Sequence, residues 1–229
     1  MISSYNRISR REEVNELFER LGKALNQRVE ALLIGGAVML ELRLKDATKD
    51  IDIVCRDERG RSRLIEAAKE LGFQIVGPAK RHARLGVKRL AVKGGRNLDI
   101  FAGRISCDFS LSDTMWKRCI RSRSFGKLVI WDASLGDVFI MKLIANRPGD
   151  ASDCAALFSA NLDFDPIYEE IEAQYRKNGK LDQKIWITYI EEGIGRLEED
   201  YGLEIPIADK VSGLADEYRE RLYQKLNQV

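Results

Sequence analysis

The chain is short of the residues that build most zinc and redox sites: 229 residues contain one histidine, His82, and four cysteines, Cys55, Cys107, Cys119 and Cys154. The cysteines are widely spaced and form no Cys-x-x-Cys pair, and only one imidazole is available, so a zinc site is not expected. Reduced thiols packed as small hydrophobes fit this distribution, and His82 reads as a surface side chain. An excess of charge of one sign is also missing. Lysine plus arginine number 38 against 36 acids, a formal net charge of +2, which gives no overall drive toward nucleic acid or an anionic membrane. Any polyanion has to be held by a local patch. No apolar run approaches the roughly 20 residues that cross a bilayer, and the stretch MISSYNRISRREEVNELF carries no apolar segment suited to secretion. The expectation is a cytoplasmic protein with no membrane partner. Internal repeats, low-complexity tracts and long flexible linkers are absent as well.

What is present is a hydrophobic content of 45% in a chain long enough for one large domain, or for a small domain with an extension. Val14, Leu17, Phe18, Leu21 and Leu25 recur at helical spacing and predict an amphipathic helix over about residues 10–26. The apolar run Ala31 to Ile34 stops at Gly35-Gly36, which predicts a buried strand turning sharply into a helix over 37–42. Ile51 to Cys55 reads as a second strand, 62–71 as a helix ended by Gly72, and 73–76 as a strand closed by Gly77-Pro78. Residues 83–92 and 97–101 read as two strands joined by a turn over Lys93 to Arg96. From Ser134 onward the periodicity is helical, with helices expected around 135–143, through DASDCAALF, and over 166–177, 183–197 and 207–226. These patterns divide the chain into an α/β domain at 1–133 and a helical region at 134–229 docked on it.

Three pieces of this pattern carry chemistry together. Gly35 and Gly36 lack side chains, so backbone amides can approach a ligand, and a helix start beyond them favours negative charge. The alternative is a tight strand-to-helix turn and nothing more. Asp50 and Asp52, separated by one residue, point to one face of a strand about 6 to 7 Å apart. Two carboxylates so placed suit a hard divalent cation shared with a phosphate; the alternative is a solvated acidic face. Asp99, within the apolar strand NLDIF, could add a third carboxylate from a neighbouring strand.

In order and spacing, LLIGGAVML, TKDIDIV and NLDIF resemble the nucleotidyltransferase superfamily that includes the DNA polymerase β-like enzymes. The resemblance covers roughly residues 30–101. It implies an α/β (α+β) fold, a mixed sheet flanked by helices with a helical C-terminal region. It also implies transfer of a nucleoside monophosphate from an NTP to a hydroxyl acceptor, with pyrophosphate released. In that scheme Asp50, Asp52 and Asp99 are catalytic and hold Mg2+ or Mn2+, Gly35 and Gly36 bind the nucleotide, and Asp99 helps deprotonate the acceptor.

A second segment, from Trp131 through Lys142, Arg147, Pro148 and Asp150 to Asp153, resembles the one that follows the catalytic core in prokaryotic minimal and toxin-like nucleotidyltransferases. It implies an RNA, tRNA, protein or small-molecule acceptor and a cognate antitoxin. Lys142 then serves either as a cation on the triphosphate or as a salt-bridge partner on the helix surface. Arg147, Asp150 and Asp153 read as structural residues around a helix start at Pro148. Two basic groups invite a nucleic-acid reading that a solvated edge also explains. They are Lys80, Arg81, Arg84, Lys88, Arg89, Lys93 and Arg96, and Lys117, Arg118, Arg121 and Arg123. Two other functions compete with the enzyme: a non-catalytic nucleotide-binding or protein-interaction module that retains the fold, and a nucleic-acid binder using the basic hairpin.

Overall fold

The computed structural model describes residues 8–76, 88–91 and 97–227, with 88–91 described by backbone alone. The expected turn at Lys93 to Arg96, the Gly77-Pro78 stop, and Lys80, Arg81, His82 and Arg84 lie outside the described residues. The chain divides into two compact units, Met1–Ile105 with Leu111–Ser134, and Ser106–Ser110 with Leu135–Val229. In chain order the elements are α1 (Arg11–Ala24), β1 (Val29–Ile34), α2 (Gly36–Glu41), β2 (Asp50–Cys55), α3 (Glu58–Glu70), β3 (Gln74–Val76), β4 (Lys88–Ala91), β5 (Asn97–Ala102), β6 (Arg104–Ser106), β7 (Phe109–Ser110), α4 (Asp113–Lys117), β8 (Arg121–Phe125) and β9 (Leu128–Asp132). Helices α5 (Leu135–Ala145), α6 (Asp150–Phe158), α7 (Phe164–Arg176), α8 (Trp186–Tyr201) and α9 (Ala208–Leu226) follow. The fold is the mixed α/β architecture with a helical C-terminal region that the sequence predicts.

In the first unit a seven-stranded sheet has the order β3-β4-β5-β2-β1-β9-β8. β1 runs antiparallel to β2 and parallel to β9, and β2 runs parallel to β5. Alternation along the strands sorts the side chains onto two faces. One face carries Ala31, Leu33, Ile51, Ile53, Leu98, Ile100, Leu128 and Ile130, all buried. Each such aliphatic side chain contributes about 1.5–3 kcal/mol by leaving water. Val14, Phe18 and Leu21 of α1 and Leu64, Ile65, Ala67 and Ala68 of α3 are buried as well, the stripes that helical spacing dictates. α3 begins four residues before the apolar spacing places it, because Asp57 caps it by accepting from the Gly60 amide at 2.7 Å.

The β8-β9 hairpin was not legible in the sequence. It is tied down by four charges. Arg121 Nε donates to Asp132 Oδ2 at 2.5 Å and its Nη2 to Glu41 at 2.7 Å. Arg123 donates to Asp132 Oδ1 at 2.7 Å, to Glu41 at 3.2 Å and to the side-chain Oδ1 of Asn15 in α1 at 2.6 Å. Asp132 and Glu41 are buried, and the two guanidiniums compensate the cost of taking carboxylates out of water. At the hairpin's turn, Gly126 takes a φ of 60°. Beside it Gly22 lets the backbone of α1 touch the strand, since a Cβ on Gly22 would lie 1.6 Å from the Phe125 carbonyl oxygen.

In the second unit α5 is apolar nearly all round and packs against α6, α7 and α8. Gly193 of α8 permits one approach: its Cβ would meet Leu143 Cδ2 at 2.8 Å. The one cation buried in α5 is Lys142, whose ammonium donates to Asp150 at 2.7 Å and to Asp153 at 2.6 Å. Arg147 Nε pairs with the second oxygen of Asp150 at 2.9 Å. Burial disfavours the Lys142 charge, but Asp150 and Asp153 outweigh it and hold the ammonium above its ordinary range. Burial likewise pushes Asp150 up, and Lys142 with Arg147 outweighs that and holds the carboxyl below its ordinary range. Residues 106–110 join this unit through Asp108, which accepts from Trp186 Nε1 at 2.6 Å.

Two stability outcomes follow from these contacts. Gly22→Ala should cost about 1–3 kcal/mol by overpacking against a backbone carbonyl. Gly213→Ala, in α9 with nothing within 4 Å of the added Cβ, should gain about 0.4–1 kcal/mol; urea denaturation giving both the same sign would contradict this packing. Lys142→Ala should cost about 3–5 kcal/mol at neutral pH, because Asp150 keeps only Arg147 as a cationic partner and Asp153 loses the ammonium. Because folding lowers the Asp150 pKa, its contribution is present above the ordinary carboxylate range and is lost as pH falls through the folded value, below about pH 4. The gap between wild type and Lys142→Ala should therefore narrow in denaturation curves taken toward pH 3, and a constant gap would refute the pairing.

Candidate active site

The register of three strands assembles the predicted carboxylates. Ile34, the last residue of β1, stands opposite Asp52. Asp52 stands opposite Asp99 of β5, and Asp50 opposite Asn97. Asp50 and Asp52 share a face by alternation, and directly opposed residues share one too, so all three carboxylates lie on the same side of the sheet. That side is the reverse of the one lined by Ile51, Ile53, Leu98 and Ile100. Neighbouring strands are about 4.8 Å apart, which sets the spacing of Asp52 from Asp99. Asp99 is buried, whereas Asp50 and Asp52 are half-buried. On the far side of β5, the antiparallel register sets Arg89 of β4 opposite Asp99.

Gly35 and Gly36 lie at this end of the sheet, and the structure supplies a reason for each. Gly35 takes a φ of 68°, and a Cβ there would sit 2.7 Å from Asp52 Oδ2. A Cβ on Gly36 would sit 2.6 Å from Thr48 Oγ1, with Lys45 Cδ at 3.9 Å. On the side where a side chain would project, the close approach that the glycines permit is therefore made by the protein itself: a carboxylate at one, a hydroxyl at the other. Thr48 is buried, and its hydroxyl donates to the Asp50 carbonyl at 3.0 Å.

Two residues of this neighbourhood were not singled out in the sequence. Thr48 is one. The other is Asn97, whose Nδ2 donates to Asp50 Oδ1 at 2.7 Å. A signal existed for both, since Asn97 precedes Asp99 by two positions and Thr48 precedes Asp50 by two. In the strand β5 that interval means the same face.

The donor set suits a hard divalent cation, because it consists of carboxylate oxygens on neighbouring strands. Among the described residues, no group of three or more His, Cys, Asp or Glu side chains is drawn together into a metal-holding cluster. Magnesium bound through one or two carboxylates and a substrate phosphate does not require a closed protein cage.

Lys142 belongs to the second unit, where two of its three ammonium donors serve Asp150 and Asp153. Of the basic group Lys117, Arg118, Arg121 and Arg123, the last two are matched by Asp132 and Glu41, so this cluster is less positive than its sequence suggests. Burial pushes the thiols of Cys55 and Cys154 up to about 12, far from reactive thiolates. No helix among the described residues is long and apolar enough to cross a membrane.

Comparison with known proteins places this geometry in a family. No curated protein matches the chain. An antigenic nucleotidyltransferase-like protein from Paracoccidioides brasiliensis is similar in structure at a TM-score of 0.42 and 14% identity, over 90% of this chain and 94% of that one. The CCA-adding enzyme of Thermotoga maritima, solved in complex with tRNA, is similar at a TM-score of 0.33 and 16% identity, over 94% of this chain and 67% of that one. Residues 11–186 match the family described as "Nucleotidyltransferase of unknown function (DUF6036)". With that match running through the sheet and its carboxylates and on into α8, the chain belongs to this nucleotidyltransferase family.

Proposed function

We propose that the protein transfers a nucleoside monophosphate from a nucleoside triphosphate to a hydroxyl group, with Mg2+ or Mn2+ held by Asp50, Asp52 and Asp99. The observation that carries this reading is the β5-β2-β1 register, which sets the three carboxylates on one face beside Gly35. Membership of the family supplies the reaction class. When bound, divalent ions supply charge stabilisation at the attacking and leaving oxygens of an in-line displacement. Asp50 and Asp52 orient the triphosphate side of the site, and the bare backbone at Gly35 and Gly36 admits its phosphates closely. Asp99 takes the proton of the attacking hydroxyl, directly or through a water. The acceptor oxygen bonds to the α-phosphorus as the bond from that phosphorus to the bridging oxygen breaks, and pyrophosphate leaves. Lys142 is left out of this assignment, because its ammonium already serves Asp150 and Asp153.

The acceptor we assign is a hydroxyl of RNA, tRNA included, or of a protein, in the manner of toxin-like enzymes restrained by an antitoxin in the cytoplasm. The resemblance of the segment from Trp131 to Asp153 supports this; a small-molecule hydroxyl is the competing class.

Incubation with each labelled NTP, magnesium or manganese, and RNA, protein and small-molecule acceptors should label one acceptor class. In Asp50→Asn/Asp52→Asn that labelling should fall by more than the roughly 10–100-fold typical of outer-shell changes at metal sites. Equal labelling by both proteins, or none with any acceptor, would overturn the enzyme reading. A thermal shift measures binding separately. Magnesium-NTP at about a hundred times its Kd should stabilise the wild type by about 2.7 kcal/mol and leave the double variant unmoved, whereas an unchanged wild type would sink the nucleotide site itself.

A further inference from the structure

We infer that Lys45 is a triphosphate-binding residue of this site: beside Gly35 and Gly36 its ammonium supplies the fixed cation that the sequence suggested at Lys142. The inference rests on the nucleotidyltransferase reading proposed above and assigns a residue to which that reading gives no role. Its basis is the course of the half-buried Lys45 side chain, whose Cδ lies 3.9 Å from where a Cβ of Gly36 would stand. Nζ is two bonds beyond Cδ, about 2.5 Å at most, so the ammonium belongs to the glycine turn as well.

The path of the chain brings Lys45 there. α2 is only six residues long, and just past its end Arg43 takes a left-handed φ of 60°. The Leu44 amide closes back on the Met39 carbonyl at 2.9 Å, the contact by which a helix end turns its chain around. Four residues later Thr48 is fixed by paired backbone bonds with Ile8, at 2.8 and 2.9 Å. Lys45 stands between these two anchors, and its stem is thereby returned to Gly36. Charge then selects the ligand. A turn without side chains offers a phosphate its backbone but no cation of its own, and Lys45 lends one. An ammonium has three donors and no acceptor, so it can hold a carboxylate of the site and a phosphate oxygen together, and it meets phosphates as a compact point charge. With Asp50, Asp52 and Asp99 on one face, a triphosphate is repelled unless cations stand near it. Lys49 of the same loop is exposed and carries the same charge, which makes it the comparison for a general effect of charge.

Calorimetric binding of each magnesium-NTP to the full chain tests this. Wild type is compared with Lys45→Met, which keeps an unbranched stem and removes the charge, with Lys45→Arg and with Lys49→Met, each with its ligand-free Tm. For an NTP that wild type binds, Lys45→Met should weaken binding roughly 10–100-fold, the loss of one hydrogen bond between charged groups, with its Tm close to that of wild type. Lys45→Arg should recover most of that loss, and Lys49→Met should bind nearly as wild type does. If wild type binds an NTP and Lys45→Met binds it equally, or if Lys45→Arg or Lys49→Met is as weak as Lys45→Met, the role of Lys45 is refuted and the nucleotide site stands. A wild type that binds none of the NTPs overturns the nucleotide site and this role with it.

Discussion

The backbone at Gly35 stands at φ 68°, ψ −148°, a region essentially confined to glycine, and the carboxylate of Asp52 closes over the space a side chain would take. A Cβ there would press on Asp52 Oδ2 from 2.7 Å while the backbone stood at a φ of 68°, a region costly for any L residue. Relief would come from turning the Asp52 side chain away, which would move its carboxylate from its place beside Gly35. Hydrogen-bonded register sets which side of the sheet the carboxylates share, and the Asp52 rotamer sets where its oxygens lie. In the proposed nucleotide site, this sharing of one sheet face is set by the fold before any ligand arrives.

The same dependence on register explains why so much of the site could be read in advance. Period-two alternation in DIDIV and NLDIF is a local signal, and it places Asp50, Asp52 and Asp99 without knowledge of anything distant. The apolar spacing of α1 and of the long C-terminal helices is equally local. β8 was illegible for the opposite reason. In Arg121-Ser-Arg-Ser-Phe125 the residues that turn inward are arginines, and they can do so only because Glu41, about eighty positions earlier in the chain, and Asp132 meet them. The Glu41 half of that pairing lies outside any local window of sequence. Asn97 was overlooked because an asparagine directly after Arg96 reads as the end of a turn; its partner Asp50 lies 47 positions away.

In the sequence the glycines read either as room for a ligand or as a tight strand-to-helix turn, and the structure adds a further purpose. They make room for Asp52 and Thr48. Both purposes can be met at one turn, since a Cβ and a backbone amide project in different directions. Lys142 illustrates a different limit. A lone lysine in an apolar helix attracts a functional reading, yet the acids that neutralise it come from the next helix in sequence, at Asp150 and Asp153.

The charged group formed by Glu41, Asp132, Arg121 and Arg123 is neutral as a set and charged in every subset of three. Replacing either acid leaves two guanidiniums sharing one carboxylate, and replacing either base leaves two buried carboxylates sharing one guanidinium, the costlier case. Replacing an acid and a base together leaves one of each. Drift at these positions is therefore confined to paired steps. Related chains that lose one of the four should show a compensating change at a position of opposite charge, nearby for Asp132 and about eighty positions away for Glu41, so that the hairpin carries a recognisable signature of joint inheritance.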